Sequence, residues 1–243
     1  MVWRNYRFAE EMPIQTEVKN RYAMYSMKRQ RISLLCLLLL LLSPASWAKE
    51  GVGVYFKVSL QGKLYQSLHY LVEEDFRPDQ EGNGVGYSLT TGELNWRLHR
   101  QLRLGAGYSY LSRPGNRTEQ RHRYYLYANG QLPLGSFQLA LRERFQSTYK
   151  IHLSTPTNFL RTMLTLSYRR SKSAFSPFTY VELFNGVGQH KHLHLDKIRL
   201  SGGCNYRLNP HNSFQFYYRY NIAYVKDPIN FRHCIGLSYT HTF

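Results

Sequence analysis

Phe231-Arg-His-Cys-Ile-Gly-Leu-Ser-Tyr-Thr-His-Thr-Phe243 alternates strictly between two kinds of side chain. Phe231, His233, Ile235, Leu237, Tyr239, His241 and Phe243 share one face, while Arg232, Cys234, Gly236, Ser238, Thr240 and Thr242 share the other. Successive side chains of a strand point to opposite sides, so this stretch has one greasy surface and one small or polar surface. A barrel wall with lipid outside and a lumen inside requires that pattern. The chain also stops on an aromatic residue in phase with the greasy face.

The same alternation recurs upstream. Val52, Val54, Phe56, Val58 and Leu60 share a face, with Gln61-Gly62-Lys63 read as a tight turn. Leu68, Tyr70 and Val72 lead back, and Leu102, Leu104, Ala106, Tyr108 and Tyr110 oppose Arg103, Gly105, Gly107 and Ser109. Tyr124, Leu126 and Ala128 face out, with Arg123, Tyr125 and Tyr127 facing in. Val85, Tyr87 and Leu89 are odd-numbered but Leu94, Trp96 and Leu98 are even, so a β-bulge near residues 90–92 is expected to restore phase. Glu143 falls on the outward face and is expected near the rim, where a charge costs least. Short turns, such as Asn209-Pro-His211, alternate with longer loops, such as residues 112–120 around Pro114-Gly-Asn116. Eleven segments result. Bacterial barrels have an even number, so either Val52 to Leu60 is a plug or periplasmic extension, giving ten, or one loop hides a twelfth strand.

The beginning of the chain reads differently. Met27-Lys-Arg-Gln-Arg31 is basic, Leu34 to Leu42 is unbroken apolar sequence, and Ser46-Trp-Ala48 offers small residues at a cleavage site. Residues 27–48 thus read as a secretory signal peptide, too short in its apolar part for a helix that needs about 20 residues to span. Residues 1–26 read as a mis-called or disordered extension, and residues 49–243 as the mature barrel. That mature stretch keeps 25 Lys/Arg and 12 Asp/Glu, a net charge of +13. Its basic residues are spaced singly along strands rather than clustered, which with the export signal argues against a nucleic-acid partner. Cys204 and Cys234 fall on opposite faces with one strand between them, a placement that suits no disulfide.

Alternation alone does not say which face is inside. A soluble sandwich or lipocalin-like barrel would turn the apolar face inward. The Gly, Ser and singly spaced Arg of the polar faces, the strand length and the export signal favour the inverted, membrane arrangement. The expected fold is all-β, an antiparallel transmembrane barrel of 10–12 strands in the bacterial outer membrane, with lipid around it.

Pro177-Phe-Thr-Tyr-Val-Glu-Leu-Phe184, Asp196-Lys-Ile-Arg-Leu-Ser-Gly-Gly203, Tyr206-Arg-Leu-Asn209, Tyr217-Tyr-Arg219 and Ile235-Gly-Leu-Ser-Tyr239 follow one another in order before Phe243. Together they resemble a family of bacterial secreted proteins of similar size, a domain of unknown function predicted to form an outer-membrane barrel. The resemblance covers the mature chain and implies fold and address, but no activity. The terminal aromatic resembles the signal read by the barrel assembly machinery, which implies Tyr239 and Phe243 as assembly-signal residues and that machinery as a partner.

The inward faces carry Arg103, Arg123, Arg142, Arg144, Arg161, Arg199, Arg207 and Arg219, against few acids, Glu93 and Glu182 being the clearest. Arg142, Arg144, Glu182, Arg199 and Arg219 are the lumen candidates: they either meet across the barrel as a stiffening ionic network or line a narrow passage that favours anions. His190-x-His192-x-His194 with Asp196 has a metal-like spacing but reads as a polar loop, so neither a metal nor a cofactor is expected. The alternative function is a lipid-modifying membrane enzyme. Ser238 and His241 fall on opposite faces and Ser167 has no neighbouring His, so no triad and no catalytic residue is assigned.

Overall fold

The alternating segments become eleven strands: β1 (Gly53–Tyr65), β2 (Leu68–Arg77), β3 (Tyr87–Arg97), β4 (Leu102–Ser112), β5 (Arg121–Leu134), β6 (Phe137–Lys150), β7 (Thr157–Tyr168), β8 (Phe175–Val187), β9 (His194–Arg207), β10 (Asn212–Ala223) and β11 (Asn230–Thr242). They form a closed barrel in sequence order. The computed structural model describes residues 52–77, 86–113, 120–151, 155–169, 173–188, 193–224 and 229–243. The signal-peptide reading and the expected extension at residues 1–26 lie outside these residues. The chain connections at one end span two to six residues and those at the other six to nine.

Ten neighbouring pairs are antiparallel, and closure uses one parallel pair, β1 with β11, from Gly53 against Cys234 to Gln61 against Thr242. This resolves the parity problem of the sequence. Val52 to Leu60 does not begin a plug but a wall strand, and no twelfth strand is needed. An odd number of consecutive up-and-down strands makes the first and last run in the same direction. The chain therefore enters the wall at the long-loop end and leaves it at the short-turn end. The last residue is fastened there, with the Phe243 amide donating to the Gln61 carbonyl at 3.0 Å.

The two faces have opposite polarity to those of a soluble barrel. Leu126 is 62% exposed on the outer face, while its neighbour Tyr125 is 5% exposed on the inner face. Most buried residues are polar or charged, among them Asp75, Arg161, Glu182 and Ser238, whereas large apolar residues are on the outside. Aromatic side chains belt this band. At the short-turn end Phe137 lies against Tyr168, Phe175 against Tyr206 and Phe214 against Tyr239. Toward the other end Tyr108, His122, Tyr124 and Tyr149 form one cluster, and Tyr220, Phe231 and His233 another.

Several local expectations need correction. The first hairpin turns at Gln66-Ser67, with Gln66 at a positive φ of 36°, and not at Gln61-Gly62-Lys63, which lies within β1. No bulge interrupts β3, which pairs in continuous register with β2 and β4. Tyr87 and Leu89 simply face inward, where Leu89 is buried, because an eleven-strand lumen has room for apolar side chains. Register shifts instead at Leu64 and at Asp196. Glu143 is not at the rim. It lies in the middle of β6, where the Thr162 hydroxyl donates to its carboxylate at 3.0 Å, satisfying one oxygen of a costly group.

Candidate functional site

All eight inward arginines named from the sequence line one cavity inside the barrel, of about 1540 Å³. Its lining runs from Asn209, Asn212 and Thr242 at the short-turn end to Arg77, Tyr87 and Asp196 at the other. Twelve Lys or Arg and five Asp or Glu line it, a net charge of +7 among the described residues. The lumen is therefore basic, and it is not filled by its side chains.

Glu182 is the most deeply buried charge, 1% exposed on β8. Three arginines converge on it: Arg161 of β7 at 2.6 Å, Arg199 of β9 at 2.9 Å and Arg142 of β6 at 3.4 Å. Adjacent strands are about 4.8 Å apart, so inward residues on four neighbouring strands meet without crossing the lumen. Arg161 is held further by the Gln146 amide oxygen at 2.7 Å, and Arg199 by Asn221 at 3.0 Å. Two positions along β8, the Phe184 ring receives Arg161 at 4.3 Å, Arg199 at 4.8 Å and the Lys197 ammonium at 3.9 Å. A ring face attracts cations, and Phe184 here draws three into one patch. Lys197 faces inward in phase with Arg199 and lies opposite Phe184, and Asp196, an extra residue in β9 opposite the step from Phe184 to Asn185, turns inward beside it. Such a bulge places two consecutive side chains on the same face.

The five lumen candidates do not form one cluster. Arg142, Glu182 and Arg199 meet. Arg144 goes elsewhere, 4.0 Å from Glu93 and stacked 4.1 Å above the Tyr125 ring. Arg219, on β10 beside β9, makes no contact with Glu182 and lies beside the rings of Tyr217 at 4.7 Å and Tyr55 at 5.6 Å. The set therefore lines the wall of the cavity at separate places. Arg161, Lys197 and Phe184 belong with the Glu182 group. Arg161 and Phe184 were legible as inward residues, and the parity Lys197 shares with Arg199 carried the signal for it.

Glu93 shows how the opposite wall is made. Tyr125 and Tyr127 of β5 donate to its two carboxylate oxygens at 2.8 and 2.6 Å. Glu93 is on β3, so both rings must lie across β4. They pass over Gly107 and Gly105, where an added Cβ would come 2.2 and 2.3 Å from the rings. Glycine is needed there for close approach. Tyr217 lies over Gly236 of β11 in the same way.

Tyr239 donates to Asn212 at 2.6 Å, and His241 bonds the same oxygen at 2.8 Å. Ser238 is buried on the inner face, opposite the side of His241, and Ser167 lines the lumen with its hydroxyl on the Gln138 carbonyl. The serine and histidine of a triad are not brought together at these positions. His190 and His192 lie outside the described residues, and His194 pairs with Asp196. Cys204 and Cys234 are free thiols, the second fully buried.

Comparison with known proteins adds a family. A profile described as a protein of unknown function, DUF2490, matches residues 52–232. The chain belongs to the DUF2490 family. The matched region begins at the start of β1 and ends inside β11, so the family's unit is this barrel and its lumen. No curated protein matches the chain. For a DUF2490 barrel, the chemistry of the lumen is therefore the guide to function.

Proposed function

We propose that this DUF2490 protein is a bacterial outer-membrane barrel with a narrow lumen that favours anions. The observation that carries the reading is the continuous cavity with a lining charge of +7. Walls of low dielectric concentrate the field of such a lining, raising the local concentration of anions and repelling cations. The membrane part of the reading is supported by the exposed apolar outer face, its aromatic belts and strands of 10–14 residues, since a tilted strand crosses a bilayer in about 9–11. Connections of six to nine residues at one end and of two to six at the other fit the outer and periplasmic ends of such barrels.

The lining arginines do not all serve as a structural lock. Glu182 neutralises one of its three arginine partners, leaving that patch cationic even before Lys197 is counted. The refolded chain in a planar bilayer with a potassium chloride gradient tests the reading. The reversal potential is expected to show chloride preferred several-fold over potassium. Absence of conductance, or cation preference, would refute it.

A further inference from the structure

We infer that the outer face of β5–β7 is the contact surface between two copies of this chain, centred on Glu143. This surface is separate from the lumen, and its setting in lipid rests on reading the outer face as membrane-facing. β6 carries one residue of each aromatic belt, Phe137 at the short-turn end and Tyr149 toward the other. Glu143 is six residues from each, on the same face, and so stands at the middle of the apolar band. Among the described residues, the other carboxylate on the outward faces is Glu74, three residues from the long-loop end of β2. An ionisable group at the bilayer centre is costly where it meets lipid, and in membrane proteins such groups turn toward protein.

The surroundings of Glu143 suit a close approach. Its register neighbours on either side are Ala128 of β5 and Thr162 of β7, both small, with Leu104 and Leu183 beyond them. Along β6, Leu141 and Phe145 are exposed before and after it. The centre of the face is therefore low and its rim is large and apolar. Small residues let two backbones approach in lipid, where packing and interchain hydrogen bonds drive association.

The carboxyl group selects the occupant. The Thr162 hydroxyl donates to Oε2 at 3.0 Å, and among the described residues no donor reaches Oε1. Two copies inserted in the same sense in one membrane are related by an axis along the membrane normal, so a midplane residue on the contact line meets its own counterpart. The surface must then complement itself. A carboxyl group in its acid form does so, because it has one O–H donor and spare acceptor lone pairs. Across the axis, Oε1–H of each copy donates to Oε2 of the other, using the lone pair that Thr162 leaves free. An unlike partner would have to bring a matching group to the same depth, whereas a second copy brings it by symmetry.

Sedimentation equilibrium of the full refolded chain in density-matched detergent micelles tests this. Heat-dependent electrophoretic mobility first reports whether the barrel has folded in the micelle, so failure of the membrane reading is seen separately from failure of association. A reversible dimer is expected. Glu143→Leu is expected to raise its dissociation constant about tenfold or more, and Glu143→Gln, whose amide also donates and accepts, to stay within about threefold of the parent. A second arm keeps Glu143 in place. In a background with Cys204 and Cys234 replaced by serine, Ala128→Cys is expected to give a crosslinked dimer with a short bis-maleimide. Val58→Cys, exposed on β1 at the opposite side of the ring, is not. A monomeric or trimeric parent, undiminished association of Glu143→Leu, an equal loss in Glu143→Gln, or crosslinking of V58C as readily as of A128C would each overturn the proposal.

Discussion

At the residue scale, Glu182 shows why one carboxylate can hold a wall together. It is buried, and its two oxygens serve three guanidinium groups from three strands. Removing one partner of a buried ion pair is far more costly than removing the whole pair, because the remaining charges stay desolvated and here also repel one another. Glu182→Gln is therefore expected to destabilise the folded barrel by about 3 kcal/mol. Urea unfolding in micelles, followed by Trp96 fluorescence, measures it. Adding Arg161→Met should restore part of the loss by removing the most buried of the uncompensated cations. Equal stability of parent and Glu182→Gln would show that the cluster contributes no net stability. The tyrosines above Gly105 and Gly107 make a related point. Glycine on an inward face reads as a small lumen residue, and only the neighbouring strands reveal that it is the floor under a ring.

At the element scale, the seam between β1 and β11 distinguishes this barrel. A parallel pair has slanted hydrogen bonds and is slightly weaker per residue than an antiparallel one. The seam is reinforced at its short-turn end by the Gln61 amide donating to the Thr242 hydroxyl at 3.0 Å. Val58 and Tyr239 are opposite each other on the outer face of the seam. In a background with Cys204 and Cys234 replaced by serine, V58C/Y239C is expected to form an intramolecular disulfide in high yield on mild oxidation. V58C paired with a cysteine at Phe231, near the other end of β11, should not crosslink. Non-reducing electrophoresis after proteolysis between the two strands reads both outcomes. Failure of the first pair would remove β1 from the wall.

At the scale of the whole molecule, closure, polarity and the terminal residue act together. Phe243 ends the strand that closes the barrel and is anchored to β1 by its backbone, with its ring against His241. We propose that Tyr239 and Phe243 also carry the assembly signal. Deletion of Phe243 should reduce the amount of heat-modifiable barrel in the outer-membrane fraction several-fold, while the refolded variant keeps its β-sheet circular dichroism in micelles. Unchanged membrane yield would separate the terminal aromatic from assembly.

The local part of this architecture was open to a reader of the chain. A strand has a side-chain period of two, so Arg142, Arg144, Glu182, Arg199 and Arg219 could be put on one face without knowing any neighbour. Strand existence and the split into an apolar face and a polar, basic face follow from that period, whereas which face turns inward needed the composition of the polar face and the strand length as well. Three features were decided only by folding. Closure by a parallel seam depends on how many strands the ring accommodates, which is a property of the whole sheet. The inward placement of Leu89 depends on the space left inside that ring. The division of arginines between Glu182 and Glu93, the placing of Lys197 opposite Phe184, and the inward turn of Asp196 at its bulge depend on cross-strand register. Periodicity is set by bonds between successive residues, whereas register and closure are set by contacts between residues distant in sequence, and so alternation revealed the wall but not which charges meet inside it.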